Sequence, residues 1–220
     1  MRIIRVLTYI LLLIVSLPAA GKGIDVSRYQ KKIDWQKVKA AKVEFVYIKA
    51  TEGATYTDPY FKQNIAGARN VGIPVGVYHF FRMTSSAQAQ FNHFKRVVGN
   101  RKMDLIPMID IEVNDGCTKA QIQKRLDAII ALFKKEYGCM PMIYSSQVFY
   151  NKYLAPKYNR YHLYLGRYGG SRPEIDGRGS YTIWQYTRRG KIDGITTDVD
   201  VCRFNPKYGV STIRIPKNAK

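Results

Sequence analysis

Leu105-Ile106-Pro107-Met108-Ile109-Asp110-Ile111-Glu112 is an apolar, β-prone run that ends in two acids separated by a single isoleucine. Side chains alternate faces along a strand, so Asp110 and Glu112 point one way while Ile109 and Ile111 point the other. The run reads as a buried strand whose tip delivers two carboxyls to one cleft. With roughly 6 to 7 Å of rise between alternate residues, each carboxyl raises the cost of ionising the other, and one can stay protonated near neutral pH. Such a pair suits acid and base chemistry. An Asp-x-Glu standing alone is more often an ordinary solvated strand end, so its meaning depends on the rest of the chain.

Seven further apolar or β-branched runs flank this one: Gly23 to Val26, Val43 to Lys49, Ile73 to His79, Met140 to Ser145, Tyr161 to Gly166, Tyr181 to Tyr186 and Thr197 to Val201. Eight strands of this length suggest a closed barrel. Helical patterns fill the early gaps, over Trp35 to Ala41, Asp58 to Asn70, Ser86 to Val98 and Thr118 to Tyr137. Strand alternating with helix makes the sheet parallel there. The third helix starts at a Ser85/Ser86 cap, and the fourth at Thr118 with Gln121 three residues on, a capping-box pattern. Beyond Tyr144 the rhythm breaks: a short helix near Gln147 to Tyr153 is followed by loops, and Arg188-Arg189-Gly190 reads as a hairpin tip between Tyr186 and Ile192. The expected fold is α/β, an irregular TIM-like (β/α) barrel with eight strands and fewer than eight helices. Gly23, Gly72 and Gly76 fall where strands start or pack closely.

The 220 residues suit one domain. Met1-Arg2-Ile3-Ile4-Arg5, followed by an unbroken apolar run from Val6 to Val15, has the outline of a secretory signal peptide. Small residues at Ala19 and Gly21 place the cut after Gly21, because a cut after Ala20 would put Pro18 at the restrictive third-last position. The apolar run falls short of the ~20 residues that span a bilayer, which ranks an uncleaved anchor second, and no cysteine follows it to carry a lipid. The expected organisation is a signal peptide over 1–21, a catalytic barrel over 22–208 and a polar, basic tail over 209–220, with the product secreted or periplasmic. Cys117, Cys139 and Cys202 leave at least one thiol unpaired. A helix of about 30 Å separates Cys117 from Cys139, beyond disulfide reach, and Cys117 with Cys202 is the pairing left to consider.

The formal charge is +20, and removing residues 1–21, which hold Arg2, Arg5 and no acid, leaves +18. Such an excess attracts polyanions at long range, whether nucleic acid, anionic membrane or wall polymer. The basic residues are scattered, with no arginine-rich arm and no zinc-finger spacing, so no specific nucleic-acid partner is expected.

In barrels of this kind, reacting groups sit at the carboxyl ends of strands. Asp25 ends the first run, Asp110 and Glu112 end the fourth, and Asp200 lies in the last, so four carboxylates from three distant segments would meet at one rim. Two carboxylates across a cleft are what glycosidic cleavage needs, one protonated to help the sugar oxygen leave and one charged to stabilise the positive ring. Tyr78, Phe80, Tyr144, Tyr168, Trp184 and Tyr186 fall at or near the same rim, with flat faces that suit sugar rings. Taken singly, each reads at least as well as barrel core. His79, beside Tyr78 at a strand end, would line the cleft. The three histidines show no zinc spacing, whereas acids alone leave a magnesium-dependent phosphodiesterase open. Ser145-Ser146 lack a nucleophile elbow.

The ordered set Gly23-Ile24-Asp25-Val26-Ser27 with Tyr29-Gln30, Ile33-Asp34-Trp35, Phe45 through Lys49-Ala50-Thr51-Glu52-Gly53, Gly72 through Tyr78-His79-Phe80, Asp110-Ile111-Glu112, Pro141 to Ser145, Trp184-Gln185-Tyr186 and Val199-Asp200 resembles glycoside hydrolase family 25 lysozymes, or muramidases, over nearly the whole processed chain. The resemblance implies an eight-stranded barrel with fewer helices than a regular one. It also implies hydrolysis of the β-1,4 bond between N-acetylmuramic acid and N-acetylglucosamine in peptidoglycan. By position, Glu112 is similar to the family's general acid, and Asp110 to the carboxylate that helps the substrate's acetamido group or stabilises charge. Asp25 and Asp200 would hold the site, and Tyr78, Tyr144, Trp184, Tyr186 and His79 would bind substrate. No metal or cofactor is implied. The expected partners are peptidoglycan glycan strands and the anionic cell-wall surface, and the expected state is a monomer. Cys202 stands where the family usually has Asn, and Leu163 to Arg167 replaces a more aromatic segment; both bear on substrate choice. A barrel that binds wall glycan without turnover and a polyanion binder acting through charge are the rival readings.

Overall fold

The computed structural model describes residues 21–216, and all but the last residue of the expected signal peptide lies outside them. The strands are β1 (Lys22–Val26), β2 (Phe45–Glu52), β3 (Tyr56–Thr57), β4 (Val75–Phe80), β5 (Met108–Asp110), β6 (Met142–Ser146), β7 (Leu163–Gly166), β8 (Ile183–Gly190) and β9 (Val199–Phe204). Their hydrogen-bonded order is β1-β9-β8-β7-β6-β5-β4-β2-β3, and a β1–β2 pairing closes eight of them into a barrel, with β3 a short antiparallel arm on β2. Neighbours from β1 through β2, β4, β5, β6 and β7 to β8 run parallel, whereas β9 is antiparallel to both β8 and β1. This is the irregular eight-stranded α/β barrel that the sequence predicts.

Helices α1 (Trp35–Ala40), α2 (Phe61–Asn70), α3 (Ala87–Val98) and α4 (Lys119–Tyr137) back the first strands. The Ser86 hydroxyl accepts from Ala89 N at the start of α3, and Thr118 with Gln121 forms the full capping box on α4. Each cap satisfies donors that the first helical turn leaves unpaired. Between β6 and β7 there are only short turns of helix over Gln147–Phe149 and Tyr150–Leu154, and none follows β7 or β8 before the next strand.

Alternation along the strands sorts the core into two layers. Phe45, Tyr47, Met108, Met142, Tyr164, Ile183, Cys202 and Phe204 fill the barrel, while Val46, Ile48, Val77, Ile109, Ile143 and Leu165 face outward onto helix residues such as Phe94, Leu126 and Phe133. Gly76 makes the inner layer possible, because a Cβ there would lie 2.3 Å from the Tyr47 ring.

Two expectations need correction. Arg188, Arg189 and Gly190 are not a hairpin tip: β8 continues through them, Gly190 pairs with Val199, and two register shifts absorb the extra residues. The tail does not stand apart from the barrel either. Val210–Ile213 forms a 3-10 turn, Ile213 is fully buried with Leu105 and Ile106, and Ile106 N donates to Ile213 O at 2.9 Å. These apolar residues close the barrel floor, so the domain extends through residue 216. All three cysteines are free. Cys202 lies inside the barrel while Cys117 packs on the outer layer, which separates the two thiols.

Candidate active site

At the carboxyl ends of the parallel strands a cleft of about 170 Å3 is lined by Asp25, Asp110, Glu112 and Asp200 together. Alternation accounts for it. Asp110 shares its inward face with Met108, Asp25 with Gly23, and Asp200 with Cys202, each with an outward aliphatic neighbour on either side. Asp25 and Asp200 are direct partners in the antiparallel β1–β9 pair, which sets their Cβ atoms about 5 Å apart.

Asp25 is clamped. Tyr164 Oη donates to Asp25 Oδ2 at 2.6 Å, and Gln185 Nε2 donates to the same oxygen at 3.0 Å. Gln185 is itself fixed, its Oε1 accepting from Tyr144 Oη at 2.9 Å and Tyr168 Oη at 2.5 Å. Asp110 is 7% exposed, and its Oδ1 has no hydrogen-bond partner among the described residues. Burial dominates the protonation of all four acids. It lifts Asp110 well above the usual carboxylate range, with Glu112 adding and Lys49 opposing. Burial and then Asp200 raise Glu112, again against Lys49. Burial and then Asp200 raise Asp25 well above the usual carboxylate range against its two donors, and a hydrogen bond with Asp25 tempers the rise of Asp200, which burial pushes up to about 6. All four carboxyls are thus shifted toward their protonated forms.

Of the aromatic and histidine residues singled out in the sequence, Tyr78, Phe80 and Tyr144 line the cleft, and Tyr168 reaches it through its hydrogen bond to Gln185. His79, Trp184 and Tyr186 do not, and parity is the reason. His79 follows inward-facing Tyr78, so it points out of the barrel; it is fully buried, held between Thr51 Oγ1 at 2.8 Å and Gln90 Oε1 at 3.0 Å. Burial pushes it down to about 4, leaving it neutral. Trp184 and Tyr186 flank inward-facing Gln185. The Trp184 indole donates to Arg167 O at 2.7 Å, and the Arg203 guanidinium lies 4.5 Å and 5.2 Å from the two ring centres. Lys49, Gln185 and Tyr164 were not singled out in the sequence. Gln185 stands at the centre of Trp184-Gln185-Tyr186, where alternation alone assigns it to the face opposite its neighbours.

The family model for glycosyl hydrolases family 25 matches residues 24–195. The chain is 37% identical over 188 residues to the uncharacterized protein YegX of Escherichia coli (strain K12), spanning 83% of this chain and 69% of that one. It is 34% identical over 199 residues to Lysozyme M1 of Streptomyces globisporus, with 84% and 67% covered. The crystal structure of the bacterial lysozyme from Streptomyces coelicolor superimposes with a TM-score of 0.81 at 31% identity, covering 89% of this chain and 96% of that one. With a family match over most of the barrel and a cleft ringed by carboxyls, the chain belongs to glycosyl hydrolases family 25 and is a glycoside hydrolase of the muramidase type.

Proposed function

We propose that the protein is an exported muramidase that cleaves the β-1,4 bond between N-acetylmuramic acid and N-acetylglucosamine in peptidoglycan, with Glu112 as general acid and Asp110 assisting. The observation that carries this reading is the convergence of Asp25, Asp110, Glu112 and Asp200 on one cleft in which burial favours the protonated forms. A protonated Glu112 gives its proton to the glycosidic oxygen as the bond breaks. Asp110 orients the substrate's acetamido group or stabilises the positive ring that develops. Asp25 and Asp200 hold the opposite wall, and Tyr78 and Tyr144 offer faces for the sugar rings. Residues 1–21 act as the export signal, and the processed chain, at +18, is drawn to anionic wall polymers and works as a monomer.

Release of reducing ends from purified peptidoglycan tests it. Glu112→Gln is expected to keep a cooperative melt and lose cleavage; an unchanged rate in that variant overturns the assignment. Wild-type protein that only co-sediments with the wall would point to the glycan-binding barrel. Cleavage that persists in high salt separates the enzyme from a binder held by charge alone.

A further inference from the structure

Lys49 is the one lysine or arginine among the residues lining the cleft, and it is held rather than free. Its ammonium donates to Glu52 Oε2 at 2.8 Å and lies 4.8 Å from the centre of the Phe80 ring. The other oxygen of Glu52 accepts from Arg82 Nη1 at 3.0 Å. Arg82 then forks onto Asp115, through Nε to Oδ2 at 3.1 Å and Nη2 to Oδ1 at 2.7 Å, and Asp115 Oδ2 also accepts from Met83 N at 2.7 Å. Four charges of alternating sign thus tie the end of β2 and the residues after β4 to the loop that carries Glu112.

Two backbone features serve this chain. The β2–β4 pairing slips between Lys49, opposite Tyr78, and Thr51, opposite His79. Strict alternation would put Thr51 on the inward face with Lys49; the extra residue sends it outward to His79 and returns Glu52 to the side of Lys49. Asp115 holds φ +45, a left-handed conformation uncommon outside glycine, and that turn brings its carboxylate onto Arg82. Isolated exposed ion pairs stabilise little. A cation fixed beside two carboxyls, by contrast, governs their charge. The other charged groups around Asp110 and Glu112 are Asp25 from β1, Asp200 from β9 and Glu52 from β2, with Arg188 of β8 acting on Asp200; Lys49 acts on both members of the pair.

We propose that Lys49 is a positioning residue for the reaction: the Glu52–Arg82–Asp115 chain clamps its ammonium to the cleft wall, where it balances the single negative charge that Asp110 and Glu112 carry between them during turnover. The role rests on the muramidase reading and adds a tuning cation to it.

The test compares pH profiles of kcat for peptidoglycan cleavage. Lys49→Met is expected to move both limbs upward by roughly one pH unit, and Lys49→Arg to restore the wild-type position. Glu52→Gln is the discriminating variant. Loss of its negative charge would by itself move the limbs down, whereas release of Lys49 moves them up, so an upward shift supports the clamp and a downward or absent shift overturns it. A Lys49→Met profile that is lower but unmoved in pH also overturns the role. If Lys49→Met fails to melt cooperatively, the sign of the Glu52→Gln shift decides. A wild-type protein without cleavage sinks the muramidase reading and this role with it; an active wild type with unmoved limbs sinks only the role.

Discussion

The two walls of the cleft hold their carboxyls in opposite ways. On the helix-backed parallel side, Asp110 and Glu112 come from one strand end, and Asp110 Oδ1 is left without a partner. On the side where β9 runs antiparallel to its neighbours, Asp25 and Asp200 come from two strands, and Asp25 is fastened by Tyr164 and Gln185. Burial raises all four, so burial alone does not separate their roles. Hydrogen bonding differs between them: Asp110 Oδ1 is unpartnered among the described residues, whereas one oxygen of Asp25 accepts from two donors. Buried polar atoms in folded proteins are nearly always paired, so the unpartnered Asp110 oxygen is the costly one, in keeping with the reacting role proposed for Asp110.

The sharpest way to break this contrast is Asp110→Asn. A rate loss of about 10²- to 10⁴-fold is expected for a group engaged in proton transfer or charge stabilisation, with a melting temperature close to wild type, since no protein hydrogen bond to Oδ1 is lost. A large drop in both would put Asp110 with the fastened pair. Next in size is Tyr164→Phe. It strips a buried donor from Asp25 and is expected to cost about 1–3 kcal/mol in urea unfolding, with a smaller effect on rate than Asp110→Asn.

The third effect is a pH dependence. Asp200 has its folded-state value raised to about 6 from an unfolded value of 3.8, so the folded state binds the proton more tightly. Its stabilising contribution is complete below the unfolded value and is lost as pH rises through about 6. Melting temperatures across that window should fall less steeply in Asp200→Asn than in wild type; parallel slopes would mean that Asp200 titrates as an ordinary surface acid. The smallest effect belongs to the helix-backed side and lies away from the chemistry. Thr118→Ala removes the α4 cap and should lower stability by about 1 kcal/mol while leaving the cleavage rate alone.

Much of the fold was legible because period and punctuation agreed. The Ser86 and Thr118 caps, the helix over Trp35 to Ala40 and the apolar strands all stand where local pattern places them. The inward Asp110 followed from alternation. What escaped was set by contacts between distant segments. No local signal says that β8 runs through Arg188-Arg189-Gly190, because its register is dictated by β9. Nor did the basic tail advertise Ile213 as part of the barrel floor, since charge masked a spaced apolar set of Val210, Ile213 and Ile215. Trp184, Tyr186 and His79 were drawn toward the cleft by their chemistry, when the period-two rule, applied strictly from Gln185 and Tyr78, turns all three away. Lys49 sat in full view within Lys49-Ala50-Thr51-Glu52-Gly53, yet the bulge that pairs it with Glu52 depends on the facing strand.

The seam where β1 meets both β2 and β9 has a consequence for how the protein comes into being. Asp25 and Asp200 become neighbours only when the last strand pairs between β1 and β8, and closing contacts so distant along the chain carries a large loop-closure cost. A nascent or truncated polypeptide, however well its early helices have set, lacks the finished ring of acids. The ring of acids is therefore complete only with β9 seated between β1 and β8.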